Sequence, residues 1–146
     1  MISVRDDRLS GVRKWEVDLT LIEAWIDTLD DEEYDSVIAA LEQLEEHGPI
    51  TRRPFVDTLE GSEHPNMKEL RPRTTKGGAH IRVLFAFDIQ SRAIMLVAGD
   101  KAGNWTKWYA TNIPVADRLF SEHQEKMKQA DAAKAAKPKT RKGKKR

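Results

Sequence analysis

The sequence predicts a small α+β domain, a curled antiparallel-rich sheet with an N-terminal helical pair and a C-terminal helix. The chain has 146 residues, which is enough for one domain with one hydrophobic core. Its composition is 39% hydrophobic and 34% charged, which is typical of a soluble globular protein. The periodic segments come in the order strand, two helices, three strands and a helix, and this order favours helices packed against a sheet.

The N-terminal half is predicted to contain one strand and the helical pair. Residues 1–11 lack periodicity and are expected to be a flexible leader. Lys14–Leu21 alternates apolar and polar residues, which indicates a half-buried strand. Ile22–Leu29 has the apolar spacing of one short helical face. Asp30 is a suitable N-cap for a longer amphipathic helix, which is predicted to end at His47-Gly48-Pro49 because proline cannot continue it.

The middle of the chain is predicted to supply three strands. Residues 50–66 contain two prolines and one glycine, Pro54, Gly61 and Pro65, and are interpreted as a connecting loop. The strand candidates are Met67–Arg71, His80–Phe87 and Ala93–Ala98, and the last of them is apolar throughout. The short segment Asp88–Arg92 is predicted to join the last two as a tight hairpin.

The C-terminal part is predicted to be one helix followed by a tail. Pro114 suits the first position of a helix, because its missing N–H group needs no partner there. Residues 126–146 are rich in lysine and alanine and are predicted to be a basic, disordered tail that buries no core. The folded domain is therefore expected to cover residues 12–125.

Charge is segregated along the chain, although the net charge is only +1. Residues 1–63 carry 17 Asp or Glu and 6 Lys or Arg, a balance of −11. Residues 64–109 carry 8 Lys or Arg and 3 Asp or Glu, a balance of +5, and residues 126–146 carry 10 and 1, a balance of +9. An acidic half beside a basic half indicates a protein that meets a polyanion on one side.

The basic residues of the second half predict a nucleic-acid-binding surface. Strand alternation places Arg82 on the face opposite Val83 and Phe85, so the helices need not cover it. A concave sheet face that carries arginine and lysine, with aromatic rings at its rim, suits single-stranded RNA. The candidate residues are Lys68, Arg71, Arg73, Lys76, Arg82, Lys101, Lys107, Trp108 and Tyr109.

Structural roles are the alternatives for several of these residues. An arginine on a strand is more often solvated or ion-paired than catalytic, and this applies to Arg82 taken alone. Trp105 and Trp108 also fit the packing of a small core. Glu69 and Asp100 are more often partners that orient arginine or lysine than general bases.

Three segments together resemble the RelE/ParE toxin superfamily and, within it, the phage-derived HigB-like toxins of type II toxin–antitoxin systems. They are RPFVDTLEGSEHPNMKELRP, HIRVLFAFDIQSRAIMLVAGDKAGNW and WYATNIPVADRLFSEH, and the likeness covers about residues 12–125. The resemblance implies a RelE-like fold. It also implies a ribosome-dependent, metal-independent endoribonuclease that cuts mRNA and inhibits translation.

The resemblance also implies residues for the site. Arg71 matches the arginine of KELR, Arg82 that of RVL and Lys101 the lysine of GDK, and they are expected to be catalytic. Tyr109, with its pKa lowered by neighbouring cations, is an alternative to Lys101 as the group that moves protons. The expected reaction is attack of a ribose 2′-OH on the adjacent phosphate. The residues expected to bind RNA are Lys68, Arg73, Lys76, Lys107 and Trp108.

The partners expected from the resemblance are mRNA on the ribosome and a cognate helix-turn-helix antitoxin, with operator DNA reached only through that antitoxin. No cofactor, metal ion or membrane is expected. Cysteine is absent and the N-terminus lacks the apolar core of a signal peptide, which together indicate the cytoplasm. Two other functions stay open: a non-catalytic, ParE-like inhibitor of gyrase and a nucleic-acid-binding accessory protein.

Overall fold

A five-stranded sheet lies between an N-terminal helical pair and a long C-terminal helix. The computed structural model describes the backbone of residues 15–144 and the side chains of residues 15–135, so the predicted leader lies outside the described residues. The elements are β1 (Val17–Asp18), a 3-10 turn (Thr20–Ile22), α1 (Glu23–Ile26), α2 (Asp31–His47), a 3-10 turn (Gly48–Ile50), β2 (Val56–Thr58), β3 (Lys68–Leu70), β4 (Ile81–Phe87), β5 (Ala93–Asp100) and α3 (Trp105–Lys144).

The strand order in the sheet is β1-β5-β4-β3-β2. β1 pairs parallel with β5, whereas the three other pairings are antiparallel. This arrangement confirms the predicted antiparallel-rich α+β class. In the register, Glu69 of β3 faces Leu84 of β4, and Arg82 of β4 faces Gly99 of β5. Since Arg82 and Leu84 are two residues apart, Arg82 lies on the same face of the sheet as Glu69.

Helix α2 has the bounds that its sequence predicts. Asp30 is its N-cap, and the side chains of Asp30 and Glu33 each accept a hydrogen bond from the other's backbone N–H. The helix ends at His47, and the C-cap residue Gly48 has a positive φ of 59°, which favours glycine. A Cβ at this position would also collide with the indole ring of Trp15. The predicted apolar stripe is buried: Tyr34, Val37, Ile38, Leu41 and Leu44.

Two edge strands differ from the prediction. The strand expected over residues 14–21 is limited to β1, because the chain turns into a 3-10 helix at Thr20, whose N–H donates to the carboxylate of Asp18 at 2.9 Å. Residues 50–66 were expected to be a loop, but three of them form β2. An edge strand this short needs only one neighbour, and β3 supplies it.

Helix α3 covers the sheet face that carries Arg82, so the prediction of an uncovered face is wrong. Each face of the sheet has its own core, one beneath the helical pair and one beneath α3. The α3-side core consists of Leu59, Met67, Leu84, Ala86, Ile94, Leu96, Ala116 and Phe120. Arg82 itself is 6% exposed. The part of the sheet beneath α3 is therefore not an open basic surface.

Helix α3 begins at Trp105, nine residues before the predicted start at Pro114. Asn104 caps it: its side-chain oxygen accepts a hydrogen bond from the N–H of Lys107 at 3.1 Å. Pro114 lies inside the helix, where it leaves the carbonyl of Ala110 without its usual N–H donor. This cost is local, and the packed residues on both sides hold the helix together.

The tail that the sequence predicts to be disordered continues α3 as far as Lys144. Alanine, lysine and glutamine have high helix propensities, and adding a residue to an existing helix avoids the cost of nucleation. The described side chains of residues 128–135 are all exposed, so this segment buries no core. Within the described part of the chain, no helix is long and apolar enough to cross a membrane.

Candidate active site

A buried carboxylate, Glu69 on β3, lies at the centre of a polar cluster where α3 begins. The hydroxyl of Tyr109, in the second turn of α3, donates to Glu69 Oε1 at 2.6 Å. A guanidinium nitrogen of Arg71 donates to Glu69 Oε2 at 2.9 Å. Arg82 on β4 places its Nε 3.9 Å from Glu69 Oε1. Two strands and one helix therefore meet at a single carboxylate.

Lys101 joins this group from the end of β5. Its backbone N–H donates to the carbonyl of His80 at 2.9 Å, which fixes the chain beside the start of β4. Its Nζ lies 5.6 Å from the ring centroid of Trp105. Its charge interacts with Arg82, Arg71 and Glu69. We call Glu69, Arg71, Arg82, Lys101 and Tyr109 the Glu69 cluster.

Cations exceed carboxylates in the Glu69 cluster, since three cations share one carboxylate. Glu69 and Arg82 each have side chains only 8% exposed, whereas that of Arg71 is 30% exposed. Arg82 donates to the carbonyl of Ile81 at 2.8 Å, but its buried Nε has no hydrogen-bond partner within the described residues. The accessible cations are thus Arg71 and Lys101, and Arg82 contributes its charge from inside.

The environment shifts two pKa values in opposite directions. Burial, then the charges of Arg82 and Arg71, lower the pKa of Lys101, and Glu69 offsets this only in part. Burial and the hydrogen bond to Glu69 raise the pKa of Tyr109 to about 12. The prediction that cations lower the pKa of Tyr109 is wrong, because its hydroxyl lies against a carboxylate. Lys101 is therefore the better proton acceptor, and Tyr109 stays protonated at neutral pH.

Three residues predicted to bind RNA lie away from the Glu69 cluster. Strand alternation places Lys68 on the opposite face of the sheet from Glu69. Arg73 is exposed, with its guanidinium 5.3 Å from the ring centroid of Phe55. Lys76 lies in the following loop near the start of α2, where its backbone N–H donates to a carboxylate oxygen of Glu32 at 2.7 Å. The structure does not bring these three to one surface with the cluster.

The aromatic residue with an open face is Trp105, not Trp108. Trp108 is partly buried and packs edge-on against Tyr109, with ring centroids 5.3 Å apart. A Cβ at Gly99 would lie 2.6 Å from the indole nitrogen of Trp108, so the glycine makes room for this ring. Trp105 is 58% exposed, and Lys107 is exposed on the same turn. The ring exposed to solvent is therefore that of Trp105, whereas the predicted RNA-binding residue Trp108 is packed against its neighbours.

A shallow cleft of about 370 Å³ reaches Tyr109 and Glu69 from the β2 side. Its lining includes the acidic residues Asp57 and Glu60, which disfavour a phosphate there. Among the side chains that the structure describes, no three of His, Asp or Glu converge in a way that could hold a metal ion. The positive side of the cluster is the one that carries Arg71 and Lys101.

The fold, with a helical pair on one sheet face and a C-terminal helix on the other, is that of a RelE-like small domain. Residues 24–121 match the family described as "Phage derived protein Gp49-like", and the chain belongs to this family. The Glu69 cluster lies entirely within the matched residues.

Two proteins of Mycobacterium tuberculosis are similar to this chain. One, named "Putative toxin HigB2", is 50% identical over 131 residues, which cover 90% of this chain and 62% of the relative. The other, named "Putative toxin HigB3", is 47% identical over 110 residues, which cover 72% of this chain and 93% of the relative. The chain thus spans less than two thirds of the first relative's length. The resemblance to HigB-like toxins, stated from the sequence, is confirmed.

Proposed function

We propose that this protein is the toxin of a type II toxin–antitoxin system and that it cuts mRNA on the translating ribosome. The observation that carries the proposal is the Glu69 cluster, in which burial and the charges of Arg82 and Arg71 lower the pKa of Lys101 and the guanidinium of Arg71 is partly exposed. Membership of the Gp49-like family and the names of the two relatives support the same assignment. The chemistry described below uses only side chains of this chain and the RNA itself.

The RNA backbone meets the Glu69 cluster at its two accessible cations, Arg71 and Lys101, rather than in the cleft lined by Asp57 and Glu60. Arg71 presents its partly exposed guanidinium to the scissile phosphate. The open face of Trp105 lies beside Lys101, where it can stack on a neighbouring base. Single-stranded RNA offers both groups, a phosphate and an unpaired base.

The reaction is an attack of the ribose 2′-oxygen on the adjacent phosphorus. The neutral amine of Lys101 takes the 2′-OH proton, the new 2′-O–P bond forms and the P–O5′ bond breaks. Tyr109 gives its phenolic proton to the departing 5′-oxygen. The products are a 2′,3′-cyclic phosphate and a 5′-OH, and proton transfer from Lys101 to the tyrosinate restores both groups. Positive charge from Arg71 stabilises the additional negative charge on the phosphorane.

Arg82 and Glu69 act through their neighbours. Glu69 holds Arg71 and Tyr109 by direct hydrogen bonds and so fixes two reacting groups relative to each other. Arg82 is buried against Glu69, so we assign it a positioning and electrostatic role rather than contact with RNA. The resemblance implies a catalytic role for both Arg71 and Arg82. Because Arg82 is buried and Arg71 is partly exposed, we assign contact with RNA to Arg71 alone.

The proposal includes a cytoplasmic location and a cognate helix-turn-helix antitoxin, which would connect the toxin to operator DNA. Removing one charged donor from a developing oxyanion costs about 10²–10³ in rate, and we expect this loss for Arg71→Ala. Arg118→Ala is the matched control, because Arg118 lies on α3 with 62% of its side chain exposed and pairs only loosely with Glu122 at 3.8 Å.

The test incubates the full chain with ribosomes carrying a defined mRNA and maps the cuts and their end groups. Cuts confined to ribosome-bound mRNA, with cyclic phosphate and 5′-OH ends, are expected for the wild type and for Arg118→Ala. Wild-type protein that leaves mRNA intact but blocks gyrase would overturn the proposal in favour of a ParE-like inhibitor. RNA binding without cuts would favour an accessory protein, and full activity of Arg71→Ala would reject the assigned site.

A further inference from the structure

A basic groove lies at the other end of α3, between this helix and the turn that joins β4 to β5. Its volume is about 450 Å³, and its lining includes Arg92 from the hairpin and Lys126 and Lys134 from α3. His123 and Arg92 both contact the buried carboxylate of Asp88, which partly offsets the charge of Arg92. The groove is therefore built by the fold rather than by a mobile surface loop.

Lys126 and Lys134 supply the surplus charge of this groove. Both are exposed, and no described carboxylate lies within 4.0 Å of either amine. Asp131 is the one carboxylate among the lining residues. Because the two lysines are eight residues apart, they lie about 80° apart around the helix axis and about 12 Å apart along it, so an extended anion can reach both.

The groove is too far from the Glu69 cluster to hold the nucleotide that is cut. Tyr109 and Lys126 are separated by 17 positions of one helix, or about 26 Å along its axis. On the sheet, Arg82 lies near one end of the β4–β5 hairpin and Arg92 follows its turn at the other end. A ligand bound in the groove therefore makes a contact that is separate from the Glu69 cluster.

We propose that this groove binds the phosphate backbone of RNA outside the cleavage site. The choice of RNA as the ligand rests on the proposed function, whereas the phosphate chemistry follows from the cations themselves. An acidic protein is the less favoured occupant, because Met127 is the main apolar anchor that the groove offers. The contact raises affinity for the RNA-containing target and leaves the chemical step unchanged.

The test compares two double variants of the full chain. The groove variant, Lys126→Gln with Lys134→Gln, removes two positive charges from the groove lining. The control variant, Arg118→Gln with Lys128→Gln, removes two positive charges from α3 outside the groove. Glutamine keeps the helix propensity of the sites. The probe is a labelled 2′-O-methyl RNA oligonucleotide, which cannot be cut, and its Kd is measured by fluorescence anisotropy over a series of salt concentrations.

The groove variant is expected to bind about tenfold more weakly at low salt, with a slope of log K against log salt reduced by about 1.4, or 0.7 for each lost phosphate contact. The control pair is expected to change this slope by less than half as much. Equal effects of the two pairs, or unchanged RNA binding by the groove variant, would overturn the proposal. The second result would leave an acidic protein as the occupant.

Cleavage of ribosome-bound mRNA by the groove variant separates this proposal from the proposed function. Turnover at saturating ribosome concentration is expected to match the wild type, with a raised KM. If the wild type cuts no RNA but the groove variant still shows the reduced slope, the proposed function falls and the phosphate groove stands. If the wild type cuts RNA and both variants share its KM, the groove proposal falls alone.

Discussion

Two buried carboxylates attach α3 to the sheet, and their surroundings differ. Asp88, at the turn after β4, is 1% exposed and accepts hydrogen bonds from the N–H groups of Gln90 and Arg92, from the Arg92 side chain and from His123. Glu69 meets three cations and a phenol, and Arg82 Nε beside it lacks a hydrogen-bond partner in the described residues. We call Asp88, Arg92 and His123 the Asp88 anchor.

These different surroundings indicate that the Asp88 anchor is a structural site and that the Glu69 cluster is suited to chemistry. Burial raises the pKa of Asp88, but hydrogen bonds from His123 and Arg92 outweigh this effect and hold the pKa below its usual value. Every acceptor position of this carboxylate is used within the protein. In the Glu69 cluster, by contrast, positive charge remains available to an incoming anion. Polar clusters with unused charge are the better candidates for function.

The largest expected effect concerns stability and belongs to the Asp88 anchor. Asp88→Asn leaves Arg92 and His123 without their carboxylate and is expected to lower the free energy of unfolding by about 3–5 kcal/mol, the cost of breaking a buried ion pair. Urea denaturation measures this loss. Asp131→Asn, at an exposed position, is the control with a negligible effect. Cleavage per folded molecule is expected to stay at the wild-type rate, and a selective loss of rate would contradict the structural role.

The same variant has a pH signature. Because the pKa of Asp88 is lowered in the folded state, its contribution is complete above the unfolded pKa of about 3.9 and is lost as the pH falls through the folded pKa. The stability difference between the wild type and Asp88→Asn should therefore shrink in acid. A difference that stays constant down to strongly acidic pH would show that packing, not charge, makes Asp88 stabilising.

The next effect concerns Glu69, tested by the same carboxylate-to-amide change. Glu69→Gln leaves Arg82 buried without a counter-charge, and we expect a loss of about 2–3 kcal/mol, less than at Asp88 because Arg71 stays partly solvated. Since Glu69 raises the pKa of Tyr109, this pKa should fall from about 12. Absorbance titration of the two tyrosines measures the shift. An unchanged titration would show that burial alone raises the pKa.

A smaller effect is expected at Trp105, which touches the RNA in the proposed function. Trp105→Ala should raise KM by the loss of one stacked base, about 1–3 kcal/mol, with kcat changed little. Trp105→Phe keeps an aromatic face and is expected to recover most of the affinity. Steady-state cleavage of programmed ribosomes measures both constants. An unchanged KM in Trp105→Ala would leave this exposed ring without a role in binding.

The smallest effect is a slope in the pH–rate profile. The neutral fraction of Lys101 increases up to tenfold per pH unit below its lowered pKa, so the cleavage rate should rise with pH and then level off. Lys101→Arg keeps the positive charge but stays protonated, and it should be slow at every pH. Single-turnover rates measure this profile. A rising profile that persists in Lys101→Arg would assign the proton acceptor elsewhere.

The sequence predicts best where one local signal sets the structure. The Asp30 cap and the apolar spacing of α2 give both ends of that helix. The start of α3 was missed because Pro114 resembles a first helical residue, although Asn104 is a better N-cap. With Asn104 as the cap, Trp105, Trp108 and Tyr109 fall at i, i+3 and i+4 on one helical face, a signal that was available in the sequence.

The candidate site was predictable only in part. The four residues expected to be catalytic, Arg71, Arg82, Lys101 and Tyr109, do lie around one carboxylate. Their unequal burial could not be read from the sequence, since it depends on α3 lying across the strands. The raised pKa of Tyr109 likewise depends on a partner 40 positions away in the chain.

Helix α3 connects the Glu69 cluster to the Asp88 anchor and so sets the distance between them. Tyr109 and His123 belong to the same helix, so the contact of His123 with Asp88 restrains the position of the Tyr109 hydroxyl at the Glu69 cluster. One extra residue between them would shift Tyr109 relative to His123 by about 1.5 Å along the helix axis and by about 100° around it. The position of the Tyr109 hydroxyl thus depends on a contact at Asp88 that lies outside the Glu69 cluster.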